Sequence, residues 1–426
     1  MHRKPYSALH PIIDDTLKET YGIPVYQEDI SRIAIAIAGL SPERADQLRK
    51  ICSRKDRHAQ LPVFKNQFFK GGAARGVEKS VLVEVWKMII SFGGYSFCKA
   101  HSASYALVSY KLAYLKRHYP LDFMVSVVNN GGGFYSCQTY FNETRRMGFR
   151  LLGPDINRSH MRHAPEAEGI RIGFCGLREL SGKFALSVLR GRASGGRYRS
   201  FVDFVARCSP GLPEMRILIR SGTLDCLSDG QSRPALFWLF SQTSKYQGQF
   251  FLPPVPEFIS DYSSNDKLLD QVRTLGMLIS EHPIAVFNDR IEAALRCTDQ
   301  HPFIGSDEMA QYKGRSVILA GLLVTAKEVI TKKSEQMTFV SFEDRHSIFE
   351  TVLFPDTFKR FYFHLDRVAV FLVTGTVVYE LGSYIVQVEK LVKISSQQPQ
   401  QQKQTGHWNP TVSKGPTRRL STGRQR

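Results

Sequence analysis

The chain has little that would hold it in a membrane or knit it together covalently. No apolar run reaches the roughly 18 residues that a bilayer-spanning helix needs. The amino terminus, MHRKPYSALHP, lacks the apolar segment of a secretory signal. Seven cysteines stand apart at 52, 98, 137, 175, 208, 226 and 297. No two form a CxxC pair, so neither a zinc ribbon nor a disulfide framework is supported, and the cytoplasm is the expected compartment. Acidic residues are the scarcer charge, 39 against 57 lysines and arginines, for a formal net charge of +18. Such a field attracts polyanions and makes binding salt-dependent. DNA or RNA is the leading partner, and a membrane is not expected. At 426 residues and 42% hydrophobic, the chain can build about two to four domains with real cores.

The most informative stretch is Gly94 to Pro120, GYSFCKAHSASYALVSYKLAYLKRHYP. Gly93-Gly94 allow a mobile turn, and Lys99, His101 and Ser102 follow in close order. Ala103, Ala106, Leu107, Tyr110, Ala113 and Tyr114 then recur three or four apart, which predicts an amphipathic helix. Lys116 and Arg117 suit its negative end, and Pro120 stops it. A cationic, donor-rich loop feeding a helix start can seat phosphate oxygens. Spacing alone favours a solvated turn leading into an ordinary core helix. Upstream, Val25–Ala38 has a helical apolar face. Ser41-Pro42-Glu43 opens another helix, with the serine as cap and the proline at the first position. That helix shows Arg49 and Lys50, followed by Arg54 and Lys55; a solvated basic face is the ordinary fate of such a run.

The pattern GY-x-F-x-K-x-H followed by A-x-YA-x-x-SY-x-x-A-x-LK-x-x-YP resembles the fingers signature of the bacterial C-family polymerases. These are the DNA polymerase III alpha subunits and the related error-prone polymerases. Phe97, Lys99, His101, Tyr105, Tyr110, Leu115, Lys116 and Tyr119 carry the match. The resemblance covers roughly residues 5 to 394 and only the carboxy-terminal part of the family. HPIIDDTLKETYGIPVYQED (10–29) resembles a segment well inside the polymerase, so the catalytic palm is expected upstream. The resemblance implies that Arg49, Lys50, Arg54, Lys55, Lys99, His101 and Ser102 contact the triphosphate of an incoming deoxynucleotide. Lys50 stands where arginine is usual. The helix Val77–Ser91 reads as scaffold. A short helix, Leu121–Val128, precedes a flexible break at Asn129-Asn130-Gly131-Gly132-Gly133, and LLGPDINRS (151–159) resembles the linker out of the fingers. A first domain, residues 1–150, is expected to be α-helical fingers.

Residues 151–230 resemble a helix-hairpin-helix region, in which hairpin amides and a nearby cation such as Lys183 meet a DNA phosphate. The hairpin Gly176–Gly182 departs from the usual hydrophobic–Gly–hydrophobic core, so a purely structural hairpin is an equal reading. Residues 231–311 read as a linker. Within it, Gln247, Phe250 and Phe251 loosely resemble a sliding-clamp peptide, against the alternative of a sticky linker. LGMLISEHPI (275–284) resembles a family helix. Residues 312–394 give five strand-like runs with a helix after the third, the order of an OB-fold β-barrel. Thr338, Val340 and Phe342 alternate with Met337, Phe339 and Ser341, so one set must face the core. Lys327, Lys332, Lys333 and Phe339 offer charge and a stacking face to single-stranded DNA. Residues 395–426 are glutamine-rich and contain no acid, and are expected to be a disordered basic tail.

Nucleotidyl transfer in this family uses two metal ions held by palm carboxylates, an Asp-x-Asp pair plus one more. No Asp-x-Asp occurs in this sequence. The chain is therefore expected to bind primer-template and single-stranded DNA but to extend no primer alone. It would hold no cofactor of its own, Mg²⁺ belonging to the complete polymerase site. Its partners would be a palm-bearing chain and a sliding clamp. The alternatives are a non-catalytic DNA-binding accessory module and a decayed polymerase fragment.

Overall fold

The computed structural model describes residues 9–52, 60–91, 97–131, 133–243, 254–297, 301–331, 333–365 and 369–394. Two compact units are present, Met1–Phe123 and Met124–Arg426, each considered by itself. Arg54, Lys55, Gln247, Phe250, Phe251, Lys332 and the tail 395–426 lie outside the described residues.

The first unit is helical: α1 (Pro11–Thr16), α2 (Gln27–Ala38), α3 (Pro42–Cys52), α4 (Leu61–Ala74), α5 (Lys79–Ser91) and α6 (Lys99–His118). α2 starts later than the expected Val25. The Asp29 carboxylate accepts from the backbone N–H groups of Val25 (3.0 Å) and Tyr26 (2.9 Å), which holds both residues outside the helix. Gly39, at φ 62°, closes it. Ile30, Ile33, Ile37, Leu48, Phe68, Val85 and Ile89 form the core. α4 approaches α2 closely because residue 71 is glycine: a Cβ there would stand 1.9 Å from the Ala38 carbonyl oxygen. α6 forms as expected, but its apolar stripe does not enter this core. None of its residues is buried, and Leu107 and Tyr110 are 64% and 77% exposed.

α7 (Pro120–Asn130) follows, with proline at its first position. Asn129 and Asn130 end this helix rather than forming a loose break. The Asn129 amide brackets the backbone of His163, donating to its carbonyl (2.8 Å) and accepting from its N–H (3.0 Å). In the second unit, α8 (Cys137–Arg146) leads to a small sheet of β1 (Arg150–Leu152), β2 (Ala164–Glu166) and β3 (Gly169–Arg171) in the order β1-β3-β2. Four helices follow: α9 (Gly182–Gly195), α10 (Phe201–Cys208), α11 (Leu212–Arg220) and α12 (Arg233–Thr243). The expected linker is more structured than its prolines imply, since it holds α12, α13 (Ser264–Leu275) and α14 (Asn288–Leu295). The helix expected at 275–284 is absent. Gly276, at φ 72°, terminates α13, and the Gln271 side chain then accepts from the N–H groups of Ile279 (3.0 Å) and Ser280 (3.2 Å). The finer divisions at 150, 230 and 311 stand as our proposal.

The five-stranded barrel forms as expected from β4 (Ser316–Ile330), β5 (Gln336–Glu343), β6 (Ile348–Leu353), β7 (Val370–Glu380) and β8 (Ser383–Ile394). It closes in the order β4-β5-β6-β8-β7, and α15 (Pro355–Phe361) lies between β6 and β7. β4 serves two neighbours in turn, pairing with β7 over Ser316–Leu322 and with β5 over Leu322–Ile330, with a register shift between Leu323 and Thr325. Val340, Phe342, Phe349, Phe371 and Val386 fill the interior. Gly321 gives Phe342 its place, because a Cβ there would come within 2.6 Å of the Phe342 Cβ. Leu381 (φ 50°) and Gly382 (φ 90°) make the tight turn between β7 and β8.

Candidate nucleic-acid interface

In the first unit two of the expected phosphate ligands, Arg49 and Lys99, meet at the first turn of α2. Arg49 and Lys50 lie in the last turn of α3. The Arg49 guanidinium donates to Asp46 through Nε (2.8 Å) and Nη2 (2.7 Å), and to the Gln27 side chain through Nη1 (2.9 Å). Lys50 Nζ is 2.7 Å from the other Asp46 oxygen. Lys99 arrives at the same turn from α6. Its backbone N–H donates to Glu28 (3.0 Å), its ammonium pairs with Glu19, and it lies 5.7 Å from the Tyr26 ring centre. His101 is exposed and packs edge-on against Tyr105 at 4.5 Å. The Ser102 hydroxyl is used within α6, donating to the Cys98 carbonyl at 3.0 Å. Arg49 and Lys99 are thus joined through residues 27 and 28, while Ser102 is turned to its own helix.

The acids were missed by sequence reasoning. Lys50 and then Arg49 hold the Asp46 carboxyl below the ordinary carboxylate range. Lys99 lowers Glu19, and Glu19 raises Lys99 in return. Each of these cations already pairs with a carboxylate, with which an incoming phosphate would compete. The signal was present: Asp46 precedes Arg49 and Lys50 by three and four residues, the spacing at which helix side chains meet.

In the second unit, Lys183 is exposed in the first turn of α9, where backbone amides lack partners within the helix. The hairpin before it is pinned by the Arg178 N–H to the Thr274 carbonyl (2.7 Å). Tyr198 secures the helices behind it. Its hydroxyl donates to the Val188 carbonyl (2.7 Å), and Arg207 lies 4.3 Å over its ring. On the barrel, Thr338, Val340 and Phe342 point inward and Phe339 outward, at 42% exposure. Lys327 sits directly opposite Phe339 in the β4–β5 register. Facing residues of an antiparallel pair share one side of the sheet, so the cation and the ring stand together on the outer face. Lys333, also exposed, lies in the turn between these strands.

A buried node ties α8 to the barrel. Glu343 is fully buried and accepts from Arg146 Nη1 (2.7 Å) and Asn142 Nδ2 (3.1 Å). Arg145 reaches the Leu278 carbonyl (2.9 Å). Burial raises the Glu343 carboxyl, while Arg146 and Asn142 act the other way. Nearby, His163 Nδ1 accepts from the Gly173 N–H (3.2 Å), and burial lowers its imidazole to about 4.

The model of the bacterial DNA polymerase III alpha subunit finger domain matches residues 1–76, and that of a helix-hairpin-helix motif matches residues 148–236. The DNA polymerase III subunit alpha of Borreliella burgdorferi is 28% identical over 411 residues, covering 90% of this chain and 35% of that protein. An error-prone DNA polymerase of Symbiobacterium thermophilum is 27% identical over 414 residues, covering 84% of this chain and 37% of that protein. A solved second OB-fold domain of replication protein A from Methanococcus maripaludis aligns over 20% of this chain and 90% of its own at 15% identity and a TM-score of 0.17, a likeness that carries no weight. The chain spans little more than a third of the length of these curated relatives. Over most of its own length the chain is similar to bacterial DNA polymerase III alpha subunits, and its residues 1–76 and 148–236 match the models of that subunit's finger domain and of a helix-hairpin-helix motif.

Proposed function

We propose that this chain is the DNA-binding portion of a C-family polymerase and serves DNA-templated synthesis with a palm carried outside these 426 residues. The observation that carries this reading is the pairing of Lys327 with Phe339 on the outer face of the barrel. A cation beside an exposed ring is what a single strand needs: charge for the backbone and a flat face for a base. Lys183 and the amides opening α9 take the duplex backbone. The cations about α2 take the triphosphate of an incoming nucleotide, displacing Asp46 and Glu19. Gln247, Phe250 and Phe251 supply a clamp-binding peptide. The metal ions of nucleotidyl transfer do not fit this chain, which has no Asp-x-Asp; the absence of that pair also favours, as a second reading, a non-catalytic accessory module.

The test is fluorescence anisotropy with labelled oligo-dT and a primer-template over a salt series, run beside primer extension. The expected result is binding that weakens linearly in log salt, with no extension by the chain alone. Salt-independent or absent DNA binding overturns the reading; extension by the isolated chain overturns the location of the palm.

A further inference from the structure

α6 is apolar on two opposite sides. Ala106, Tyr110, Ala113 and Tyr114 make one stripe. Tyr105, Val108, Leu112, Leu115 and Tyr119 fall on the other at about 100° per residue. The second set is 62%, 52%, 47%, 43% and 55% exposed in the same order. A helix that is hydrophobic around its circumference belongs inside something. Along its last turns Tyr110, Ala113, Tyr114 and Leu115 share one open surface with Lys111, Arg117 and His118. The twenty residues of the helix include no acid.

We propose that α6 is a protein-docking helix whose partner presents an apolar stripe edged with carboxylates. The stripe covers Tyr110, Tyr114 and Leu115, and the carboxylates meet Lys111 and Arg117. Charge selects this occupant. A second copy of the chain brings another +18, which repels at the same edge. A nucleic acid would use the rings and the cations but leave Leu115, on the same surface, wet, since bases read aromatic faces rather than aliphatic ones.

The probe is a synthetic helical peptide with a leucine stripe flanked by glutamates, compared with its lysine-flanked twin. Both are titrated against the full chain by fluorescence anisotropy. The glutamate peptide should bind, and the twin should bind at least about tenfold more weakly. Tyr110→Glu with Tyr114→Glu should weaken the glutamate peptide by about tenfold or more, and Lys111→Glu with Arg117→Glu should reverse the preference between the two peptides. Oligo-dT affinity, read in parallel, should stay unchanged in the tyrosine pair. Circular dichroism checks that both variants keep their helix content. Equal binding of the two peptides, or no loss in the variants, overturns the proposal. Loss of oligo-dT binding in the tyrosine pair reassigns the helix to nucleic acid, and a dimer by sedimentation that the same pair dissolves reassigns it to self-association. Absence of oligo-dT binding by the unmodified chain fails the DNA reading alone and leaves the docking result to stand by itself.

Discussion

Two arginine–carboxylate pairs of equal length make opposite use of their charge. Arg49 and Asp46 meet at 2.7 Å with side chains 22% and 42% exposed; Arg146 and Glu343 meet at 2.7 Å with 14% and 0%. The first pair shares its acid with Lys50 at the surface. Water and salt screen it, so it can open for another anion. The second lies between α8 and the barrel, where Glu343 is fully buried and Arg146, which also meets Glu143 at 3.1 Å, is its one cation within 4 Å among the described residues. The contrast separates cations that are held ready for exchange from a cation that fixes architecture.

The largest expected effect follows from the buried pair. Arg146→Ala leaves Glu343 buried without its cation and should cost about 3–5 kcal/mol in urea unfolding. A loss no greater than that of a surface pair would erase the distinction. Next is the buried imidazole. His163 must be neutral for Nδ1 to accept from Gly173, and its folded value near 4 lies below the ordinary 6.5. The unfolded chain therefore takes up the proton first. Stability is complete above about pH 6.5 and is lost as pH falls toward 4, by about 3 kcal/mol from this group. A His163→Gln variant whose unfolding midpoint follows the same acid slope would show that other groups carry it.

Smaller changes test the exposed sites. Phe339→Ala should weaken oligo-dT binding by about 1–3 kcal/mol without moving the unfolding midpoint, because the ring faces outward. Unchanged affinity would leave the platform without a role. The smallest effect is expected from Asp46→Asn, which releases Arg49 and Lys50. The midpoint should hold, while the salt slope of polyanion binding steepens by up to about 1. If the slope is unmoved, the cations about α2 do not take part in polyanion binding.

How far these features were legible depended on how local their causes are. The alternation Thr338, Val340, Phe342 gave the inward face of β5 directly, because a strand's period is two. The same alternation sends Glu343 outward, where an acid looks solvated; it is buried only because α8 covers it, a contact some two hundred residues away in sequence. α6 was recognisable as a helix from spacing, but spacing does not say whether a stripe has a partner within the chain. The stop at Gly276 was hidden by the apolar run Met277-Leu278-Ile279 that follows. That run packs in a turn held by Gln271 instead of continuing the helix.

The division of β4 between two neighbours has a consequence for motion. Each half of β4 is paired with one barrel strand among the described residues: Ser316–Leu322 with β7, and the outer arm Leu322–Ile330 with β5. Lys327 lies in that outer arm opposite Phe339, which is paired in turn with Val352 of β6; from Val329 on, the arm faces Met337 and Gln336, which lie beyond the β5–β6 register. Amide hydrogens at that open end should accordingly exchange with solvent faster than those opposite Phe339. A strand of nucleic acid seated on Phe339 would be read as slower exchange in the arm alone.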